Sequence, residues 1–176
     1  TGDALIASAF LPFPAKITWD PNTAHPRLVF FNDNTEVSTT NDVPPFQDNP
    51  GRFDVVLGVL GSNGFSRGRH YWEVSVADKR CYHIGMVSES AKRKGSLSFR
   101  PAKGFWTITR LTYQMVGNRV AVAVDYSSGT ITFSEVGPSN TLIHLHTFST
   151  SFAQPVCLGF GLYKAELKSR ISVVKV

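Results

Sequence analysis

Alternation in Arg69-His70-Tyr71-Trp72-Glu73-Val74-Ser75-Val76 constrains this chain more than any other feature. Trp72, Val74 and Val76 fall on one side of an extended backbone, while Tyr71, Glu73 and Ser75 fall on the other. Strand side chains alternate between two faces, so the pattern fits a strand with one buried face. An amphipathic helix would instead place its apolar residues about 3.6 apart.

Other short runs extend this reading. The first β unit spans 16–19 and 27–31, with a return arm at 36–39 after the turn signal Asn32-Asp33-Asn34. Further strands are expected at 54–60, 70–76, 82–87, 104–109, 120–125, 130–134, 144–148, 156–160 and 171–174. Gly61-Ser62-Asn63-Gly64, Ala77-Asp78-Lys79, Ser127-Ser128-Gly129 and Gly137-Pro138-Ser139-Asn140 are read as the turns between them. Many short strands at this spacing imply an all-β, antiparallel sandwich. Residues 1–15 are a lead-in with a short helix over 4–10, ended by Leu11-Pro12-Phe13-Pro14.

The bulk numbers fit one domain. With 176 residues, 42% hydrophobic and 18% charged, the chain can bury a sizeable core and is not disordered. Thirteen Phe, 14 Gly and 10 Pro favour strands and turns over a helical bundle. No apolar run is long enough for a membrane-spanning helix, and the first residues lack the basic start of a signal peptide. The chain does not begin with Met, so we expect a piece of a larger protein. Cys81 and Cys157 both lie in apolar strand-like runs, are read as core thiols, and no Asn-x-Ser/Thr sequon occurs. Both facts favour a reducing, cytoplasmic setting. The net charge of +5 is a weak pointer to anionic partners.

Several segments, in order, resemble the PRY-SPRY (B30.2) family. They are Trp19-Asp20-Pro21 with its continuation to Pro26, Asn49-Pro50-Gly51-Arg52-Phe53, Val59-Leu60-Gly61-Ser62, Gly68-Arg69-His70-Tyr71-Trp72-Glu73-Val74, Arg93-Lys94-Gly95, Gly104-Phe105-Trp106-Thr107 and Val124-Asp125-Tyr126. The resemblance covers nearly the whole chain and implies a PRY part at about 16–52 and a SPRY part at about 53–176. It implies a bent two-sheet β-sandwich of the concanavalin-like jelly-roll kind. It also implies a binding domain, not an enzyme, with no cofactor and no metal. The implied role is protein–protein interaction, most often target recognition for a tripartite-motif ubiquitin ligase whose RING domain lies elsewhere. Butyrophilin tails and innate-immunity receptors also carry the domain. The butyrophilin resemblance implies one further reading, a sensor of a phosphorylated small molecule, and the clustered basic residues add another, an RNA-binding module.

Two departures from the family pattern bear on the site. Only residues 110–119 join the strand around Trp106 to the one before Asp125, where relatives carry a longer loop. The tryptophans that relatives present just after Trp106 are replaced by Thr109 and Leu111.

Rim aromatics and arginines are the usual anchors of a protein interface, so the expected partner-binding residues are Phe46, Phe99, Thr109, Arg110, Leu111, Tyr113 and Tyr163. His83 joins them, because Tyr82, Ile84 and Met86 take the inward face of their strand and leave His83 on the concave side. Lys79, Arg80, Lys92, Arg93 and Lys94 form a candidate basic patch for an acidic peptide, a phosphate or RNA. The tryptophans at 19, 72 and 106 are read as core. Gly64-Phe65-Ser66-Arg67-Gly68 matches G-x-S-x-G, but a nucleophile elbow needs a helix after the serine and a strand is expected here. The resemblance makes this segment an ordinary hairpin loop. His144 and His146 share a strand face without a third metal ligand in view, so a solvated face is the simpler reading.

Overall fold

The computed structural model describes residues 17–76, 81–110, 118–162 and 171–174. Within them lie eleven strands: β1 (Leu28–Phe31), β2 (Glu36–Thr39), β3 (Leu57–Phe65), β4 (Arg69–Ser75), β5 (Tyr82–Ser88), β6 (Phe105–Arg110), β7 (Arg119–Asp125), β8 (Thr130–Val136), β9 (Leu142–Ser149), β10 (Val156–Leu162) and β11 (Ile171–Val174). They form two sheets, a seven-stranded one in the order β1-β2-β11-β4-β7-β8-β9 and a four-stranded one in the order β3-β10-β5-β6. Every pairing between these strands is antiparallel.

The alternating sequence explains how the sheets stack. Trp72 and Val74 of β4, Val120, Val122 and Val124 of β7, and Ile131 and Phe133 of β8 all point inward and are buried. They meet Val59, Tyr82, Ile84, Met86, Leu158 and Phe160 from the four-stranded sheet. Full burial of each aliphatic or aromatic side chain contributes about 1.5–3 kcal/mol, so this layer is the main source of stability.

The family-like motifs turn out to be the joints of the sandwich. Asp20 Oδ1 accepts the Asn22 amide at 2.9 Å, and Thr23 Oγ1 accepts the Leu60 amide at 3.0 Å, fixing the first turn to the edge of β3. Arg52 is buried and donates to the carbonyls of Gln47, Pro21 and Ala24, tying the long proline-containing loop to the same turn. Asp125 Oδ1 accepts the amides of Ser127 and Ser128, and the Tyr126 hydroxyl donates to the Phe65 carbonyl. Glu73, on the outward face, is nevertheless buried and accepts from Arg119 at 2.7 Å and from the Tyr71 hydroxyl at 3.1 Å.

Several local expectations need correction. The strand expected at 16–19 is reduced to a single bridge, Trp19 to Gly61, and its first residue lies outside the described residues, as does the lead-in with its short helix. Gly61-Ser62-Asn63-Gly64 is not a turn; β3 runs through it and pairs with β10 as far as Phe65. Its glycines lie against other segments instead: a Cβ on Gly64 would meet the movable end of the Glu89 side chain, and one on Gly61 would lie 3.1 Å from an Ile17 methyl. The segment after it joins β3 to β4, which lie in different sheets, so it is a crossover and not a hairpin. A strand follows Ser66, as β4 begins at Arg69, so the nucleophile-elbow geometry is absent. Asn32, Asp33 and Asn34, by contrast, make the expected turn with φ of 50°, 52° and 61°, values these short polar residues tolerate best after glycine.

Candidate binding groove

The outer face of the four-stranded sheet is closed by loops and not by another sheet. Phe53, Leu60, Val87, Ala91, Phe105 and Cys157 form a second buried cluster there, with Val56, Leu97 and Phe99 packed against it. The segment Ser96-Leu97-Ser98-Phe99 supplies part of this cover by turning its two apolar residues toward the sheet. Arg93 holds the covering loop in shape. It is buried, donates to the carbonyls of Ala91 and Glu89 at 3.1 Å each, and lies 5.6 Å from the Phe53 ring centre.

The cover stops short of His83. Beyond it lies an open groove of about 400 Å³ lined by His25, Arg27, Val55, Val56, Leu57, His83, Leu97, Phe99 and Leu162. Beneath, the packing leaves only about 20 Å³, so the groove has a solid floor. Residues before and after the long loop thus share one wall-to-wall depression.

His83 is the polar feature of that floor. Its ring stacks on Phe99 with centroids 4.1 Å apart and planes 17° apart, and its Nδ1 lies 2.7 Å from Thr109 Oγ1. Burial lowers its pKa from the usual 6.5, so the imidazole is neutral near neutral pH. Burial likewise lowers the pKa of His25, whose Nδ1 accepts the Arg27 amide at 3.0 Å. The Arg27 guanidinium is itself engaged, donating to the Thr40 carbonyl at 3.2 Å and to Asn41 Oδ1 at 2.7 Å.

The structure therefore joins three of the residues expected from sequence, His83, Phe99 and Thr109. Arg110, next along β6, turns the other way and faces buried Glu135 of the opposite sheet at 3.5 Å. Phe46 is exposed in the long loop with the Arg52 guanidinium 5.6 Å from its ring centre. Leu111, Tyr113, Tyr163, Lys79 and Arg80 lie outside the described residues. The basic run 92–94 does not act as one patch: Lys92 is exposed, Arg93 is buried as above, and Lys94 pairs with Asp48 at 2.7 Å. Sequence reading missed Val55, Leu97, His25 and Leu162. The polar–apolar alternation of Ser96-Leu97-Ser98-Phe99 in a segment too turn-rich for a strand was the available signal.

Comparison with known proteins places this geometry. The family model of the SPRY-associated (PRY) domain matches residues 17–65, and that of the SPRY domain matches residues 69–173. The chain is a PRY-SPRY domain. It is 38% identical over 162 residues to rat E3 ubiquitin-protein ligase TRIM69, covering 84% of this chain and 32% of that protein. It is 37% identical over 155 residues to the human erythroid membrane-associated protein, covering 80% of this chain and 32% of that one. The TRIM65 PRY-SPRY structure superposes with a TM-score of 0.74 at 19% identity, over 97% of this chain and 93% of that one, which speaks to fold alone. Stonustoxin superposes with a TM-score of 0.72 at 25% identity, over 91% of this chain and 29% of the toxin. The PRY-SPRY fold is a non-catalytic binding module, homologous to the C-terminal domains of TRIM ligases, and such domains bind protein targets. Among the described residues no helix is long and apolar enough to cross a membrane.

The remaining candidate chemistry resolves into packing. Trp19, Trp72 and Trp106 are buried in the main core. Cys157 is buried with its thiol pushed up to about 11, first by burial and then by the Glu89 charge, while Cys81 is half-buried and not a core residue. His144 and His146 are exposed on β9, and His144 Nε2 lies 2.8 Å from Thr147 Oγ1. Among the described residues no three potential ligands converge as a metal site.

Proposed function

We propose that this PRY-SPRY domain recognises a target protein for a TRIM-type ubiquitin ligase, gripping it in the His83 groove. The observation that carries the reading is the groove itself, open, solid-floored and walled by apolar side chains from both parts of the domain. Val55 is 59% exposed on its wall, an apolar group held in water at the site where a partner would cover it. A preformed depression with a few polar groups suits one buried anchor side chain ringed by weaker contacts. The relatives' full-length activities extend over chain that this domain does not include, so the ligase step belongs to a RING domain of the parent. We place that work in the cytoplasm, consistent with two free cysteines.

The groove supports the rival readings less well. A sensor of phosphorylated small molecules needs a cluster of unengaged cations, whereas His83 is neutral and Arg27 is bonded to its own loop. Base stacking for RNA needs free aromatic faces, and Phe99 already stacks on His83.

The test is Val55→Asp in the parent protein. Because Val55 is on the surface, the variant folds, and its melting temperature serves as the check. Proteins retained by the wild-type domain and ubiquitylated in its presence should be lost from the variant, with self-ubiquitylation unchanged. An unchanged set of retained and modified proteins overturns the proposal.

A further inference from the structure

On the other side of the Ser96–Phe99 ridge lies a second hollow of about 510 Å³, lined by Ser90, Ala91, Lys92, Ser96, Leu97, Ser98, Ala102, Lys103, Gly104 and Phe105. Leu97 lines both depressions, so they are neighbours divided by a single segment. Their characters differ. The first sets two histidines and Arg27 among apolar side chains, and the second presents two lysines and three serine hydroxyls. Lys92 and Lys103 are exposed and take part in none of the ion pairs among the described residues. No carboxylate is among the lining groups of either depression, though Asp54 lies near enough to His25 to act on its charge; Arg27 is bonded to its own loop, which leaves Lys92 and Lys103 as the exposed cations. The chain as a whole carries +5.

We infer that this face takes an acidic protein segment, with one apolar side chain in the His83 groove and carboxylates beyond the ridge over Lys92 and Lys103. This rests on the target-recognition reading above and names the chemistry of the target. Complementary charge at an interface rim mainly raises the association rate and adds discrimination against other partners. The exposed lysines beyond the ridge attract an acidic segment and repel a basic one, while the Asp54 carboxylate, bonded to the Gly95 amide, bears on the His25 end of the groove. Successive residues of an extended chain advance about 3.3 Å, so an acidic group about two to four residues from the anchor clears the one-segment ridge. Folded packing does not explain the two free lysines, since the loop is held by Arg93 and not by them.

The experiment is selection from a phage-displayed library of random peptides on the chain as it stands, on Val55→Asp, and on the double variant Lys92→Glu, Lys103→Glu. A uridine homopolymer is titrated in parallel. We expect enriched peptides with an apolar residue followed or preceded by Asp or Glu at a fixed short spacing. Affinity for such a peptide should drop about tenfold in the double variant and lose its salt dependence, and Val55→Asp should abolish it. Enrichment that is lost in Val55→Asp but shows no acidic bias, or is indifferent to the double variant, overturns the inference and leaves the groove reading standing. Failure to enrich any peptide, or enrichment that survives Val55→Asp, overturns both. Homopolymer binding that depends on the two lysines, with no acidic peptides selected, assigns the hollow to nucleic acid and overturns the inference.

Discussion

The two faces of β5 differ in what closes them. On the inner face Tyr82, Ile84 and Met86 are at most 1% exposed, sealed by strands of the opposite sheet. On the outer face Val87 is covered by a loop cluster, whereas His83, four residues earlier, sits where that cover ends. Strand side chains interdigitating across two sheets leave no room for a ligand. A loop laid over a sheet closes only where its own apolar residues reach, and its margin is a groove. Stability is thus concentrated on one face of a strand and recognition on the margin of the other.

This contrast can be broken most forcefully from the inside. Ile84→Ala deletes a fully buried side chain from the interlayer core and should cost about 2–5 kcal/mol in chemical denaturation. Phe99→Ala, on the outer face, removes a partly buried ring that stacks on His83, and should cost roughly 1–2 kcal/mol while weakening target binding. Equal stability losses, or intact binding in Phe99→Ala, would contradict the division of labour.

Arg93 and Lys92 sharpen the same contrast within the covering loop. Arg93→Ala removes both carbonyl bonds and leaves a cavity beside Phe53, for an expected loss of about 2–3 kcal/mol and a loosened loop. Lys92→Ala, one residue away and exposed, should leave the unfolding midpoint unchanged. Denaturation curves of the two variants decide the matter, and equal midpoints would mean that the loop is not held by the guanidinium.

These adjacent residues also show where sequence stops being informative. The inner face of β5 was legible because period-two alternation in Tyr82-His83-Ile84-Gly85-Met86 depends on neighbours along the chain, and the same reasoning put His83 outside. Arg93 was read with its flanking lysines as one basic run, since nothing local marks which cation will meet the carbonyls of Glu89 and Ala91 or the ring of Phe53, 40 residues away. Gly61 and Gly64 failed for a related reason. Glycine signals equally a turn or a place where another chain segment comes close, and only the pairing of β3 with β10 through Gly64 tells the two apart. Val55 belongs to a run of apolar residues, and which of them stays in water depends on the loop edge that forms the groove.

The mildest test uses acid. Burial holds His83 below its ordinary 6.5, and His25 as well, whereas the titratable group of the inner face, Tyr82, is pushed up to about 12, mainly by burial, and is silent. Below 6.5 the unfolded chain takes up protons that folded His83 and His25 resist, so the unfolded state binds more protons. Their contribution to stability is therefore complete above that pH and is lost as the pH falls toward their lower folded values. Urea midpoints should decline between about pH 7.5 and about pH 5.5, a window above the ordinary carboxylate range. His83→Asn should flatten part of that decline, and adding His25→Asn should flatten more of it. A slope as steep in His83→Asn as in the wild type would show that the outer-face imidazole is as solvated as any surface histidine, and that the groove floor is not closed around it.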